Sequence, residues 1–229
     1  MPETVLKGQD DQLPARSAAL ARYAARLTAQ PWTVGPETGT ELAAAGLSPE
    51  QVESATAVVA TFNYLTRVAD ASGIDFDYVS PLPAFEPARD RTAPDRPGQE
   101  SWPVLDAGYR TVAMPAIADA WTAWHEYVFT SGEPLPRRAR GVLARAAAQE
   151  CCDAWRAAEL ADHTPRDDAE ARLDAFARKL SRTPWRMGPA DLAALRDAGH
   201  PEPALLHAIS VVALQNAESR LAMGRGLLG

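Results

Sequence analysis

Cysteine, histidine and phosphate-cradling glycine loops are what this chain lacks most. It has two cysteines in 229 residues, and they are adjacent (Cys151, Cys152), which excludes a disulfide framework. The four histidines (His125, His163, His200, His207) form no His-x-x-x-His or His-Glu-x-x-His spacing, so no metal site is expected. No Gly-x-Gly-x-x-Gly loop occurs, and no cofactor is expected. No apolar run approaches the roughly 18 residues of a membrane span. The N-terminal MPETVLKGQDDQ has no apolar segment of the secretory kind, so a cytoplasmic protein is the default expectation. A net charge of −7 removes any electrostatic reason to bind nucleic acid or an anionic membrane. β-branched runs are scarce while Ala and Arg are abundant, a balance that favours helix.

What the chain does have is a repeat. Residues 20–73 align without a gap to residues 173–226, with about 18 of 54 positions identical. Leu27, Pro31, Trp32, Gly35 and Pro36 recur as Leu180, Pro184, Trp185, Gly188 and Pro189. Val58, Val59, Ala60, Asn63 and Arg67 recur as Val211, Val212, Ala213, Asn216 and Arg220.

Local signals set the elements within each copy. Leu20, Tyr23, Ala24 and Leu27 share one face of a helix over 15–29, which Pro31 ends. A short helix over 37–45 is closed by Gly46. Ser48-Pro49-Glu50-Gln51 then reads as a capping box opening a long helix through Val52, Ala55, Val59, Phe62 and Thr66 to Gly73. The second copy predicts helices over 168–182, 190–198 and 202–222. Between the copies, the spacing predicts helices over 115–130 (Trp121, Trp124, Val128) and 136–162 (Leu143, Ala147, Cys151, Ala154, Ala158 on one face). Residues 81–103 carry six prolines and read as an extended linker or surface-hugging arm. The chain thus divides into a frayed 1–14, a first, partial repeat at 15–80, a Pro-rich 81–108 and a second, fuller repeat at 109–229. With no competing strand pattern, the fold class is all-α.

The order helix, Pro-Trp, short helix, Ala-Gly, long helix with Asn-x-x-x-Arg resembles the alkylhydroperoxidase D-like, carboxymuconolactone decarboxylase superfamily, most of all its peroxidase-related branch. LTAQPWTVGPETGTELAAAGLSPEQVESATAVVATFNYLTRVADASGI at 27–74 carries the resemblance best, and residues 135–224 carry it moderately. The resemblance implies a helical bundle of the alkylhydroperoxidase D-like type and a homo-oligomer (dimer, trimer or hexamer). Peroxidases of that family use Cys-x-x-Cys-x-x-x-His on one helix with an upstream Glu. A thiolate attacks peroxide, a second thiol resolves, and His and Glu relay the proton. Here the matching stretch is LPRRARGVLARAAAQECCDAWRAAELADH. With Cys152 as the first cysteine, Trp155 and Glu159 take the places of the second cysteine and the histidine. With Cys151 they become Ala154 and Ala158, and the upstream Glu falls at Arg140 or Gly141. Three of the four catalytic residues are missing in either register, so the dithiol mechanism is not carried over.

Individual residues admit a plain and a sharper reading. Cys151 packs as a small apolar residue, or Cys152 is a lone reactive thiol. Glu150 and Asp153 beside it would raise its pKa and count against reactivity. Asn63–Arg67 and Asn216–Arg220 satisfy buried backbone, or Arg220 with Asn216 clamps a substrate carboxylate. Trp121 and Trp124 are core, or with His125 and Trp155 they wall a pocket. Glu159 and His163 are a surface pair, or an acid/base pair where the family keeps its thiols. The expectation is a repurposed enzyme acting on a small organic molecule by proton transfer (isomerisation, decarboxylation or cyclisation). Glu159, His125 and auxiliary Cys152 would be catalytic, and Trp155, Trp121, Trp124, Arg220 and Asn216 substrate-binding. The rival expectations are a one-cysteine peroxidase using Cys152 and a non-catalytic oligomeric scaffold.

Overall fold

A computed structural model of the chain describes residues 4–5, 9–74, 92–105, 107–110 and 114–228. Among the described residues the structure is helical and carries no strand. The first half supplies α1 (Ala15–Ala29), α2 (Pro36–Ala44) and α3 (Pro49–Ser72). Then come α4 (Pro115–Thr130), α5 (Arg137–Glu150) and α6 (Ala154–Glu159). The second half closes with α7 (Asp168–Arg182), α8 (Pro189–Asp197) and α9 (Glu202–Arg225). Short 3-10 turns at Pro31–Thr33 and Pro184–Arg186 follow α1 and α7. The bounds of α1, α2 and α3 match those of α7, α8 and α9 at the same spacing that aligns 20–73 with 173–226. No helix among the described residues is long and apolar enough to cross a membrane.

The chemistry of the ends explains these bounds. Ser48 Oγ accepts from Gln51 N at 3.4 Å while Ser48 N donates to Gln51 Oε1 at 3.0 Å, satisfying two orphan amides at the start of α3. Gly46 (φ +81°) and Gly199 (φ +89°) take the left-handed conformation that closes α2 and α8. The next amides, of Leu47 and His200, return to Leu42 O at 3.1 Å and Leu195 O at 3.2 Å.

Helix α9 is the axis of the molecule. It is buried on nearly all sides, packs most extensively along α3 and also meets α5, α7 and α4. A larger core lies around α5, α7, α8 and α9, and a smaller one joins α1, α2 and α3 to Met223. Gly224 lets α9 approach closely: a Cβ there would lie 2.3 Å from Thr56 Cγ2 and 2.6 Å from the Tyr23 hydroxyl. Tyr23 and Thr56 share a buried 2.5 Å hydrogen bond that cannot yield freely. Gly224→Ala is therefore expected to lower stability by about 1–3 kcal/mol, overpacking outweighing the helix preference of Ala. Urea unfolding would check it, and a stabilised variant would contradict it.

Two expectations need correction. The helix expected over 136–162 is two helices, α5 and α6. Cys152 has φ +58° and Asp153 caps α6, its carboxylate accepting from Arg156 N at 3.1 Å. Phe62, one of the positions through which the sequence predicts the long helix, is 60% exposed, whereas Ala60, packed with Ala217 and Leu221 of α9, and Asn63 and Arg67 are buried. Of the N-terminal stretch, residues 1–3 and 6–8 lie outside the described residues, and Asp10–Gln12 form a 3-10 turn. Of the Pro-rich stretch, residues 81–91 and 106 also lie outside. Residues 92–105 run along the C-terminal ends of α5 and α7. Arg96 Nη1 donates to Gln149 O at 2.9 Å there, and Arg182 Nη2 to Pro94 O at 3.3 Å.

Candidate active site

Helices α4, α6 and α9, with the turn Ala107–Tyr109, enclose a cavity of about 240 Å3. Four of the residues singled out from the sequence meet in its wall: Trp121, His125, Trp155 and Glu159. Trp121 and His125 are one turn apart on α4, and that spacing presents both to the same side. Trp155 and Glu159 hold the same relation on α6. Trp121 Nε1 is buried and has no hydrogen-bond partner among the described residues, an indole donor that a ligand can engage.

The residue that makes this wall chemical is Glu218 on α9. Its carboxylate is almost wholly buried and meets His125 Nδ1 at 2.5 Å. The hydrogen bond to Glu218 holds the His125 pKa above its usual value, against the opposing effect of burial. A carboxylate on Nδ1 fixes the ring's orientation and leaves Nε2 as the nitrogen able to give or take a proton. Nothing in the sequence pairs positions 125 and 218. The signal, visible in retrospect, is an acidic residue in the middle of the long last helix, between Asn216 and Arg220.

Two arginines missed in the sequence complete the cavity. Arg110 makes a bidentate pair with Asp153 (2.6 Å to each oxygen) and lays its guanidinium 4.6 Å from the centre of the Trp155 ring. Asp153 also accepts from Ser219 Oγ at 2.7 Å, and Ser219 Oγ accepts from Gln215 Nε2 at 3.1 Å. Gln215 Oε1 in turn accepts from Arg156 Nε at 3.0 Å. Arg156 pairs with Glu159, whose side chain is half exposed at the rim. This chain of bonds ties α6 to α9 and holds Trp155 in place.

The other sequence candidates lie elsewhere. Trp124 stacks on Tyr127 (5.5 Å between ring centres) and meets Tyr64 edge-on, outside the cavity wall. Asn216 and Arg220 belong to a polar clasp with α1: Arg220 Nη2 donates to Thr28 O at 2.8 Å and Nη1 to Asn216 Oδ1 at 2.9 Å. His163 lies beyond the end of α6 and packs on Gly141, where a Cβ would meet its ring at 1.9 Å, so it forms no i, i+4 pair with Glu159 on one helix. Arg140, one of the two positions that the resemblance offers for the upstream Glu, is a structural residue bonded to carbonyls at and just beyond the end of α4.

Both cysteines are free and buried. Cys151 Sγ lies 3.3 Å from Asn216 Oδ1. Burial, and then the neighbouring Cys151, push the Cys152 thiol up to about 12, so it is protonated at neutral pH. Native protein at pH 7 is accordingly expected to react with a disulfide reagent at least about 100-fold more slowly than free cysteine, whose pKa is about 8.5. Rapid labelling of Cys152 in the folded state would contradict this. Among the described residues no group of three or more His, Cys, Asp or Glu is placed to hold a metal ion.

Comparison with known proteins adds no relative: no family model, no curated protein and no solved structure matches this chain.

Proposed function

We propose that the protein is an enzyme performing proton-transfer chemistry on a compact organic molecule in the cavity between α4, α6 and α9. The observation that carries this reading is the buried Glu218 carboxylate on His125 Nδ1 at 2.5 Å, in a cavity walled by two indoles. Isomerisation, decarboxylation and ring opening or closure each need a proton moved to or from carbon or oxygen. A carboxylate-oriented imidazole supplies that step. His125 is the acid/base and Glu218 its positioning partner. Glu159 is a second carboxylate at the rim, and Trp121 and Trp155 hold the apolar part of the ligand. The cavity lies below the range of about 300–1,000 Å3 common for ligand pockets, which selects a small substrate.

We further propose descent from the alkylhydroperoxidase D-like superfamily by internal duplication, supported by the sequence repeat and the recurring element bounds. In this reading the ancestral thiol helix has lost its peroxidase residues, and the chemistry has moved to the α4–α9 interface. The raised Cys152 thiol weighs against the one-cysteine peroxidase, and a cavity beside Trp155 weighs against a scaffold with a closed interior. Assembly into a homo-oligomer remains part of the proposal, checked by light scattering. The reading is tested by following the His125 ring signals in NMR while small lactones, ketones and carboxylic acids are added. A compound that the protein turns over is expected to shift those signals. Turnover of a compound that leaves them unmoved would sink the assignment.

A further inference from the structure

A second cavity, of about 180 Å3, lies where the two repeats meet. Its wall is built in matching pairs: Trp32 from the first half faces the same space as Trp185 from the second, and Arg67 the same space as Arg220. Each arginine reaches across to the other half. Arg67 Nη2 donates to Ser181 O at 3.0 Å, and Arg220 Nη2 to Thr28 O at 2.8 Å. Each also bonds the asparagine one turn before it, and those asparagines, Asn63 and Asn216, donate to the hydroxyls of Thr28 and Ser181. The clasp therefore uses the guanidiniums to hold backbone carbonyls and asparagine oxygens, and Arg67 still has donor capacity to spare.

The charge is in surplus. Arg67 and Arg220 are both 4% exposed, and among the described residues neither has a carboxylate within ion-pair distance. Arg67 Nε has no hydrogen-bond partner among the described residues. Burial, and then repulsion from Arg220, pull the Arg67 guanidinium down to about 9, although Asp70 on the same helix acts in the opposite direction. Arg96 and Arg182 add two more cations at the mouth. Among the described residues of the wall Glu150 is the carboxylate, and it already faces Arg178 at 2.9 Å, Arg96 at 3.4 Å and Arg182 at 3.7 Å, with the exposed Asp95 4.0 Å from Arg182. Among the described residues, four guanidiniums and one carboxylate thus line a small space with two indole walls. Buried cations without counter-charge are expensive, and an oxyanion is the partner that removes the expense.

We propose that this cavity binds a compact organic anion, its oxyanion held by Arg67, Arg182 and Arg96 and its body lodged between Trp32 and Trp185. The site is separate from the His125–Glu218 cavity and does not depend on the function assigned to it.

The test is calorimetric titration of the full chain at low ionic strength with three probes: succinate, inorganic phosphate and the neutral diamide of succinate. Succinate or phosphate is expected to bind saturably and to raise the melting temperature, and the diamide to do neither. Binding of succinate alone assigns the site to carboxylates, and binding of phosphate alone to phosphoryl groups. Arg182→Gln and Arg96→Gln, at the half-exposed mouth, are expected to fold and to weaken that binding about tenfold each. His125→Gln should leave it unchanged. Two results would overturn the proposal: no saturable binding of either anion up to about 10 mM, or affinities equal in wild type and both arginine variants.

Discussion

Glu218→Gln is expected to return the His125 pKa toward its ordinary value and to reduce turnover of the protein's substrate by about 10²–10⁴-fold. The isosteric amide keeps the volume and a hydrogen bond but removes the negative charge that favours the imidazolium. His125 itself remains, so a change in its titration isolates the positioning role of Glu218 from the chemistry. Stability carries the same signature. Because the folded-state pKa of His125 is raised, the pair's contribution is fully present below the imidazole's unfolded value, about 6.5. It is lost as pH rises through the higher folded value. That slope in a pH series of unfolding midpoints is expected in the wild type and absent in Glu218→Gln. Identical titrations of His125 in the two proteins would show that the 2.5 Å contact does not persist in solution.

Arg140→Ala is expected to cost about 3–5 kcal/mol or to prevent folding. The Arg140 side chain is 1% exposed, yet its guanidinium closes the end of α4. Nε donates to Leu135 O at 2.7 Å and Nη2 to Glu133 O at 2.9 Å. Nη1 reaches Val128 O at 3.2 Å, Tyr127 O at 3.3 Å and Ser131 Oγ at 3.1 Å. Truncation strands the buried acceptors Leu135 O and Val128 O, at about 1–3 kcal/mol for each stranded group, and removes the part-buried bonds to the rest. Arg140→Lys should recover little, because one ammonium cannot span a fork of acceptors on three sides. Under the proposed function the effect reaches activity as well, since α4 carries Trp121 and His125. Denaturant unfolding of both variants checks this, and a loss under about 1 kcal/mol in Arg140→Ala would contradict it.

Much of the helix plan was legible because it is written in local chemistry. Ser48 and Gln51 announce the start of α3, and Gly46 and Gly199 announce the ends of α2 and α8. The break at Cys151–Asp153 was not, since neither glycine nor proline marks it. Cys152 takes the left-handed conformation there, and the available hint was Asp153 in position to cap α6. Phe62 misled because the buried face of α3 carries small and polar residues, among them Ala60, Asn63 and Arg67, rather than its largest apolar one.

The site followed the same division. His125 with Trp121, and Glu159 with Trp155, were readable as helical neighbours, and the fold brings both pairs to one cavity. Glu218 and Arg110 were not, because their partners, His125 and Asp153, lie far along the chain and no periodicity encodes a contact of that separation. Arg220 with Asn216 was legible as a buried polar pair. That its counterpart Arg67 shares one cavity with it, with few carboxylates nearby, follows only from the packing of the two halves.

The central claim is that proton transfer at His125 is the chemistry of this chain. Its most direct test is incubation in D2O with a panel of small ketones, lactones and carboxylic acids, read by NMR for deuterium incorporation, decarboxylation or ring opening, with wild type beside His125→Gln. The account predicts at least one compound changed by the wild type and about 10²-fold or more slowly by the variant. A panel left unchanged by wild type, alongside reduction of an organic hydroperoxide that is lost in Cys152→Ser, would contradict it.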